Sequence, residues 1–149
     1  MIGAAGELAA RILADIPERL QHSAAVAARA RALAITVAPS AVETLVAAAW
    51  LHDIGYGSWA RESGFHPLDG AVYLRGNGWP EGVCALVAHH SGSRFVARVL
   101  GLDDRQRQLA FVEDPQPDAL TVADNTVGPN TTIMTVDERL RENERRRQP

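Results

Sequence analysis

Lysine is absent from this chain of 149 residues, and all fifteen of its basic residues are arginine. The absence excludes a lysine nucleophile, a lysine Schiff base and a lysine ammonium that binds phosphate. Any basic contact to a phosphate therefore has to come from arginine. The formal net charge is −3, which argues against a protein that coats nucleic acid, and we see no nucleic-acid surface in the pattern.

Cysteine is nearly absent too, and Cys84 alone cannot form an intramolecular disulfide. We expect Cys84 to be a small buried side chain and the protein to be cytoplasmic. No hydrophobic run approaches the roughly 18 residues of a membrane span, so no membrane partner is expected. The first apolar run contains Glu7 and Arg11, which is not typical of a signal peptide.

Alternating strand patterns and internal repeats are also missing, whereas apolar residues recur at steps of three and four. With 46% hydrophobic residues, the chain is long enough for one domain with its own core. We therefore predict an all-α protein with one domain over residues 1–149. Its motif-bearing core covers roughly residues 16–127, and residues 128–149 form a C-terminal extension.

Three candidate capping boxes help to set the helix starts, at Asp15–Glu18, Ser40–Glu43 and Thr135–Glu138. Proline and glycine set most of the helix ends. The predicted helices cover roughly residues 5–14, 16–35, 41–53, 67–75, 80–90, 94–100, 104–112, 118–127 and 137–147.

The most informative stretch is AAAWLHDIGYG, residues 47–57. Here an apolar helix ends in His52 and Asp53, two residue types that bind metals, and Ile54 and Gly55 follow. The other histidines and one late aspartate also lie at predicted helix ends or on inward-facing stripes. They are His22 on the stripe of Val26 and Leu33, His66 before Pro67 and expected to be extended at a helix entrance, His89 and His90 before Ser91-Gly92, and Asp124.

Imidazole and carboxylate groups together suit Mn, Fe, Co, Ni or Zn, whereas Mg or Ca prefers an all-oxygen site. One histidine on an apolar helix is more often a hydrogen-bonded core residue than a ligand. All five histidines in such places, with two aspartates, favour a metal site instead. The predicted ligands are His22, His52, Asp53, His66, His89, His90 and Asp124.

This set resembles the H…HD…D pattern of the HD-domain superfamily of metal-dependent phosphohydrolases, through His22, His52-Asp53 and Asp124. The run Leu51–Gly55 resembles the HDIG form of that motif. His66, His89 and His90 resemble the extra histidines of dinuclear members such as the HD-GYP branch. The resemblance implies a bundle of about five core helices, with short peripheral helices around it.

The resemblance also implies a division of labour among these residues. His22, His52, Asp53 and Asp124 would hold one divalent transition metal. Asp53 would bridge to a second metal, which His66, His89 and His90 would also hold. A water between two cations becomes a hydroxide near neutral pH and attacks a small phosphorylated substrate. In this scheme His52 and Asp53 are the catalytic pair.

The chain departs from the family pattern at two places. Where the HD-GYP branch has Gly-Tyr-Pro after its paired histidines, this chain has Ser91-Gly92-Ser93-Arg94, which argues against a specialist for cyclic dinucleotides. Where many members have lysine after HD-x-G, this chain has Tyr56. Arg94 is then the nearest candidate, by sequence, for binding the substrate phosphate; a solvated charge at a helix start explains it equally well.

Two other functions fit the same residues. An HD-fold dinuclear-iron oxygenase shares the ligand order but uses O₂ at an iron pair. A non-catalytic module that binds a ligand as a sensor keeps the helices, although such a module does not need an intact ligand set. The sequence leaves open the substrate, the metal, the number of metals and the oligomeric state.

Overall fold

The computed structural model describes residues 1–147, and the predicted domain bounds of 1–149 include residues 148 and 149, which lie outside the described residues. Apart from one isolated antiparallel bridge between Val127 and Ile133, residues 1–147 contain no β-structure. The all-α prediction is confirmed. The helices are α1 (Ile2–Ile12), α2 (Pro17–Ala32), α3 (Val42–Leu51), α4 (His66–Gly76), α5 (Glu81–His89), α6 (Ser93–Val99), α7 (Asp103–Gln106), α8 (Gln116–Asn125) and α9 (Val136–Arg147).

Helix α3 lies at the centre of the bundle. Its residues Leu45, Ala47, Ala48, Ala49 and Leu51 are fully buried, as expected of a helix that is apolar on every face. Helices α1, α2, α5 and α8 pack around it, and α4 packs against α5. The predicted core helix that ends at the His-Asp pair is therefore present, and His52 and Asp53 at its end are buried in the interior.

Two of the three predicted capping boxes are wrong. Helices α2 and α3 begin at Pro17 and Val42 without a side-chain cap. Proline at the start of α2 has no N–H to satisfy, and a 3₁₀ turn over Pro39–Ala41 leads directly into α3. The third box is confirmed. The Thr135 N–H donates to the Glu138 carboxylate at 2.7 Å, and the Glu138 N–H donates to Thr135 Oγ1 at 3.2 Å.

The predicted helix over residues 104–112 is also wrong, because α7 ends at Gln106. The Gln106 amide is buried and donates to the Ala88 carbonyl at 2.6 Å and to Ser93 Oγ at 3.0 Å. The next residues follow an irregular path in which the Leu109 carbonyl accepts a hydrogen bond from another helix at 2.7 Å. These long-range bonds replace the local bonds that would have extended α7.

None of the helices in the described part of the chain combines the length and the apolar content needed to cross a bilayer.

Candidate metal centre

Six of the seven predicted ligands meet at one end of the bundle. Each comes from the inner face or the end of a different helix, except the adjacent pair at the end of α3. They are His22 of α2, His52 and Asp53 after α3, His66 as the first residue of α4, His90 after α5 and Asp124 of α8. His66 is helical instead of extended, and Phe65 before it adopts the extended conformation.

One half of this cluster contains His22, His52 and Asp124. His22 Nε2 and Asp124 Oδ1 are 2.9 Å apart and form a hydrogen bond. His52 Nε2 lies 3.5 Å from the same Asp124 oxygen and 3.5 Å from Asp53 Oδ2. The ligand atoms of His22, His52 and Asp124 all lie within 4.8 Å of one another, which is close enough to hold one metal ion.

The other half contains Asp53, His66 and His90. Asp53 turns Oδ2 toward His52 and Oδ1 toward His66, whose Nε2 is 3.4 Å away. His66 Nε2 is 3.3 Å from His90 Nε2. A second group that can hold a metal consists of His52, Asp53 and His90. Asp53 therefore lies between two sets of imidazole nitrogens.

Backbone carbonyls fix the orientation of two of these imidazoles. The Nδ1–H of His52 donates to the Ala49 carbonyl at 2.7 Å, and the Nδ1–H of His90 donates to the Val87 carbonyl at 2.7 Å. The last carbonyls of a helix have no partner within the helix, so each histidine satisfies one of them. With the proton on Nδ1, the lone pair of Nε2 faces the cluster, as in a metal-binding histidine.

The Nε2 atom of His52 tests whether these residues fit a metal. It is buried and has no hydrogen-bond partner among the described residues. A buried acceptor without a partner costs about 1–3 kcal/mol, so such atoms are rare in native proteins. A divalent transition metal would supply the missing partner, and the mixture of imidazole and carboxylate at this place is a suitable donor set. The residues fit the metal.

The charges of the cluster agree with this donor set. Burial raises the pKa of Asp53, but His52, His66, His90 and Arg19 outweigh burial, and the net pKa is lowered. The pKa of Asp124 is likewise well below its usual value, because the hydrogen bond with His22 and the nearby imidazoles of His52 and His90 outweigh its burial.

The pKa values of three imidazoles in the cluster shift in opposite directions. Burial and the neighbouring His90 lower the pKa of His66 to about 3, and burial also lowers the pKa of His90. Burial opposes the charge on His52 as well, yet Asp53 and Asp124 raise the pKa of His52 to about 9. The carboxylates are thus ionised, and their negative charge favours a cation beside His52 Nε2, either a proton or a metal ion.

Comparison with known proteins identifies the family. The model of the HD domain family matches residues 19–125, which is most of the chain. The chain belongs to the HD domain family. HD domains bind divalent metals, and the clustered histidines and aspartates of this one are able to hold them. No curated protein matches the chain, and no solved structure matches it.

His89 is the one predicted ligand that does not lie in the cluster. Its Nε2–H donates to the Leu109 carbonyl at 2.7 Å, and its ring packs edge-on against Phe111. Adjacent residues on a helix point about 100° apart, so only one of His89 and His90 can face inward from α5. The prediction that His89 is a ligand beside His90 is therefore corrected.

Arg94 is also elsewhere. It lies over the rings of Phe95 and Phe111, at 5.0 and 5.5 Å, and lines a separate cavity with His89. Nearness in sequence to the paired histidines does not place it at the cluster, because Ser93 and Val96 are the residues of α6 that line the cavity beside the cluster, and Arg94 lies on another face of that helix. The predicted role of Arg94 in binding substrate at the metal centre is therefore corrected.

Arg19 is the arginine that the sequence analysis missed. Its Nη1 donates to Asp53 Oδ2 at 3.0 Å, and its guanidinium lies 4.4 Å above the ring of Tyr56. Tyr56 in turn stacks on His66, with ring centroids 4.1 Å apart. A signal was available, because Arg19 precedes His22 by three residues and therefore shares its helix face.

Ser91 was missed as well. Its hydroxyl donates to Asp124 Oδ2 at 2.5 Å, and its backbone N–H donates to Thr121 Oγ1 at 3.3 Å. Its φ of +50° is uncommon for a residue with a side chain, and such conformations cluster at functional sites. Ser91 therefore holds the second oxygen of Asp124 while the first faces His22 and His52.

Gly55 sets the distance between the His-Asp pair and α4. A Cβ on Gly55 would overlap the backbone of His66, lying 2.7 Å from its Cα and carbonyl carbon and closer still to its oxygen. We therefore expect Gly55→Ala to lower the free energy of unfolding by about 1–3 kcal/mol, the usual cost of overpacking. Urea denaturation followed by circular dichroism measures it.

Gly76→Ala, near the end of the same helix α4, is the matched control. A Cβ there would meet nothing within 4 Å, and we expect its stability to equal or exceed that of the unmodified protein. Equal unfolding midpoints for Gly55→Ala and the unmodified protein would contradict the proposed packing role of Gly55.

Proposed function

We propose that this protein is a metal-dependent phosphohydrolase that acts on a nucleotide or another small phosphoester. Membership of the HD domain family points to a metal-dependent hydrolase type of function. The observation that carries the finer proposal is Asp53, which turns its two oxygens toward two sets of imidazoles and binds an arginine beside an open cavity. That cavity has a volume of about 370 Å³, which suits a small substrate.

Two divalent transition metals, drawn from Fe, Mn, Co, Ni and Zn, are proposed as cofactors. His22, His52 and Asp124 would hold the first metal together with Asp53 Oδ2. Asp53 Oδ1, His66 and His90 would hold the second. When bound, such metals lower the pKa of a water and neutralise negative charge on a phosphoryl oxygen.

The protein's own residues would position the substrate. Arg19 lines the cavity, and a guanidinium has five N–H donors, of which Asp53 accepts only one among the described hydrogen bonds. The remaining donors can bind a phosphoryl oxygen. The stack of Tyr56 on His66 supports this guanidinium from below and limits its motion. Arg19 thus takes the place of the lysine that the chain lacks.

A direct assay tests the proposal. Protein purified without added metal is analysed for its elements and then assayed with Mn, Co or Ni on aryl phosphomonoesters, aryl phosphodiesters and a nucleotide panel. We expect turnover of at least one substrate, and we expect a chelator to abolish it. The variant Asp53→Asn, purified in parallel, controls for contaminating phosphatases.

If no phosphoester in the panel is turned over, while the protein holds iron and consumes O₂ with an organic substrate, it is an oxygenase and the phosphohydrolase proposal is wrong.

A further inference from the structure

A second cavity of about 310 Å³ adjoins the cavity at the metal centre. Arg19, His22 and Arg139 line both cavities, so the two lie side by side at the cluster. Glu18, Asn130 and Arg146 are among the other residues that line the second cavity. A substrate larger than a single phosphoryl group therefore has space on this side.

The second cavity carries an excess of positive charge. Its lining includes Arg19, Arg139 and Arg146, and Glu18 is the only carboxylate that residues 1–147 contribute to it. Arg19 is held by Asp53, and Arg146 pairs with Glu142 at 3.0 Å. Arg139 has no ion pair within residues 1–147, and its side chain is only partly exposed. Arg139 is thus the cation best placed to bind an incoming anion.

A tight return of the chain positions Arg139. The Gly128 N–H donates to the Thr132 carbonyl and the Met134 N–H donates to the Thr126 carbonyl, both at 2.7 Å. Between these bonds, Asn130 and Thr131 both adopt positive φ values. The capping box of Thr135 and Glu138 then starts α9, which brings Arg139 back to the cluster. The cation therefore stands on a defined helix.

This helix lies outside residues 19–125, the range that matches the HD domain family. Arg139 and Arg146 therefore lie in the extension, beyond the residues that match the family. The metal cluster, by contrast, lies within the family range. Arg139 and Arg146 of the extension thus line the second cavity together with Arg19 and His22 of the family range. This composition suits a reaction centre within the family range with an added specificity element.

We propose that the substrate carries a second anionic group, a phosphate or a carboxylate, and that Arg139 of α9 binds it while the metal cluster binds the scissile phosphate. Arg146 lies farther along α9 and adds to the positive field. The nature of the first group rests on the proposed phosphohydrolase function. The second group rests on the cavity and on Arg139 alone.

Calorimetric titration with non-hydrolysable probes tests this inference on the full chain loaded with Mn. The probes are methylphosphonate, the α,ω-bisphosphonates with one to four methylenes, and the matching phosphonocarboxylates. We expect at least one two-headed probe to bind about 10-fold more tightly than methylphosphonate. The number of methylenes in the tightest probe gives the distance between the two anion sites. Its second anionic group shows whether Arg139 prefers a phosphate or a carboxylate.

Matched variants of α9 test whether Arg139 causes the tighter binding of the two-headed probe. Arg139→Gln should bring the two-headed probe down to the affinity of methylphosphonate, and Arg139→Lys should restore part of the difference. Arg141→Gln removes the same charge from α9 but does not line either cavity, and should keep the full preference. Circular dichroism verifies that each variant retains its helices.

Two results would overturn the inference: equal affinity for one-headed and two-headed probes at every length, or equal losses in Arg139→Gln and Arg141→Gln. Failure of the phosphohydrolase proposal appears differently, as absence of turnover, or as methylphosphonate binding that does not depend on metal. A preference that depends on Arg139 in a protein without turnover would support the second anion site while refuting the hydrolase.

Discussion

Asp53→Asn is expected to leave the purified protein nearly free of transition metal and to lower phosphohydrolase activity by more than about 100-fold. Loss of a residue that merely supports a ligand typically costs 10–100-fold in metal affinity or activity, and Asp53 is proposed as a ligand itself. Its two oxygens face both halves of the cluster, so a single substitution affects both metals.

Asparagine is preferred to alanine because it keeps the volume of Asp53 and an oxygen that accepts from Arg19. Elemental analysis by mass spectrometry gives the metal content per chain, and circular dichroism confirms the fold. Asp118→Asn, at an exposed position on α8, is the control and should keep its metal. Full metal content in Asp53→Asn would remove Asp53 from the ligand set, and with it the proposed link between the two metals.

The central helix and the convergence of the cluster could be predicted because they follow from one strong pattern. A continuous apolar stretch before His52 has to be buried, so the His-Asp pair at its end has to face the interior. His22 and Asp124 lie on the inner sides of helices that pack on α3, and burial of two apolar stripes brings them together. The periodicity of apolar residues was therefore sufficient to predict the central helix and the meeting of His22, His52, Asp53 and Asp124.

The choice between His89 and His90 could not be predicted from periodicity. Both lie at the end of one helix, and the structure turns His90 inward because its Nδ1–H satisfies the Val87 carbonyl. His89 instead donates to the Leu109 carbonyl, which lies 20 residues away. That carbonyl lies in the irregular segment that follows α7. A contact so distant in sequence has no local signal.

The prediction that Arg94 binds the substrate was wrong for a related reason. Arg94 is close to His90 in sequence, whereas Arg19 is 34 residues before Asp53 and reaches it through the packing of α2 on α3. Ser93 and Val96 of α6 line the cavity at the metal centre, but Arg94 lines a separate cavity with His89. The face of α6 on which Arg94 lies thus keeps it from the cluster, although the helix itself reaches the cavity.

The last prediction compares the two adjacent histidines directly. The unmodified protein is expected to hold two metal equivalents per chain, His89→Asn two, and His90→Asn one. His90 belongs to the half of the cluster with Asp53 and His66, so its loss leaves His22, His52 and Asp124 intact for the other metal. Activity should fall steeply in His90→Asn, because two metals share the activation of water and the neutralisation of the phosphoryl group.

Asparagine suits this comparison because its amide nitrogen can replace the imidazole Nδ1–H that donates to Val87, while it has no counterpart of Nε2. The variant therefore loses the proposed ligand atom and keeps the bond that shapes the helix end. Native mass spectrometry counts the metals on each intact chain, and the aryl phosphate assay gives the activity. One equivalent in the unmodified protein and in both variants, with activity retained in His90→Asn, would make the centre mononuclear. His66 and His90 would then be structural partners of Asp53, and the two-metal proposal would be wrong.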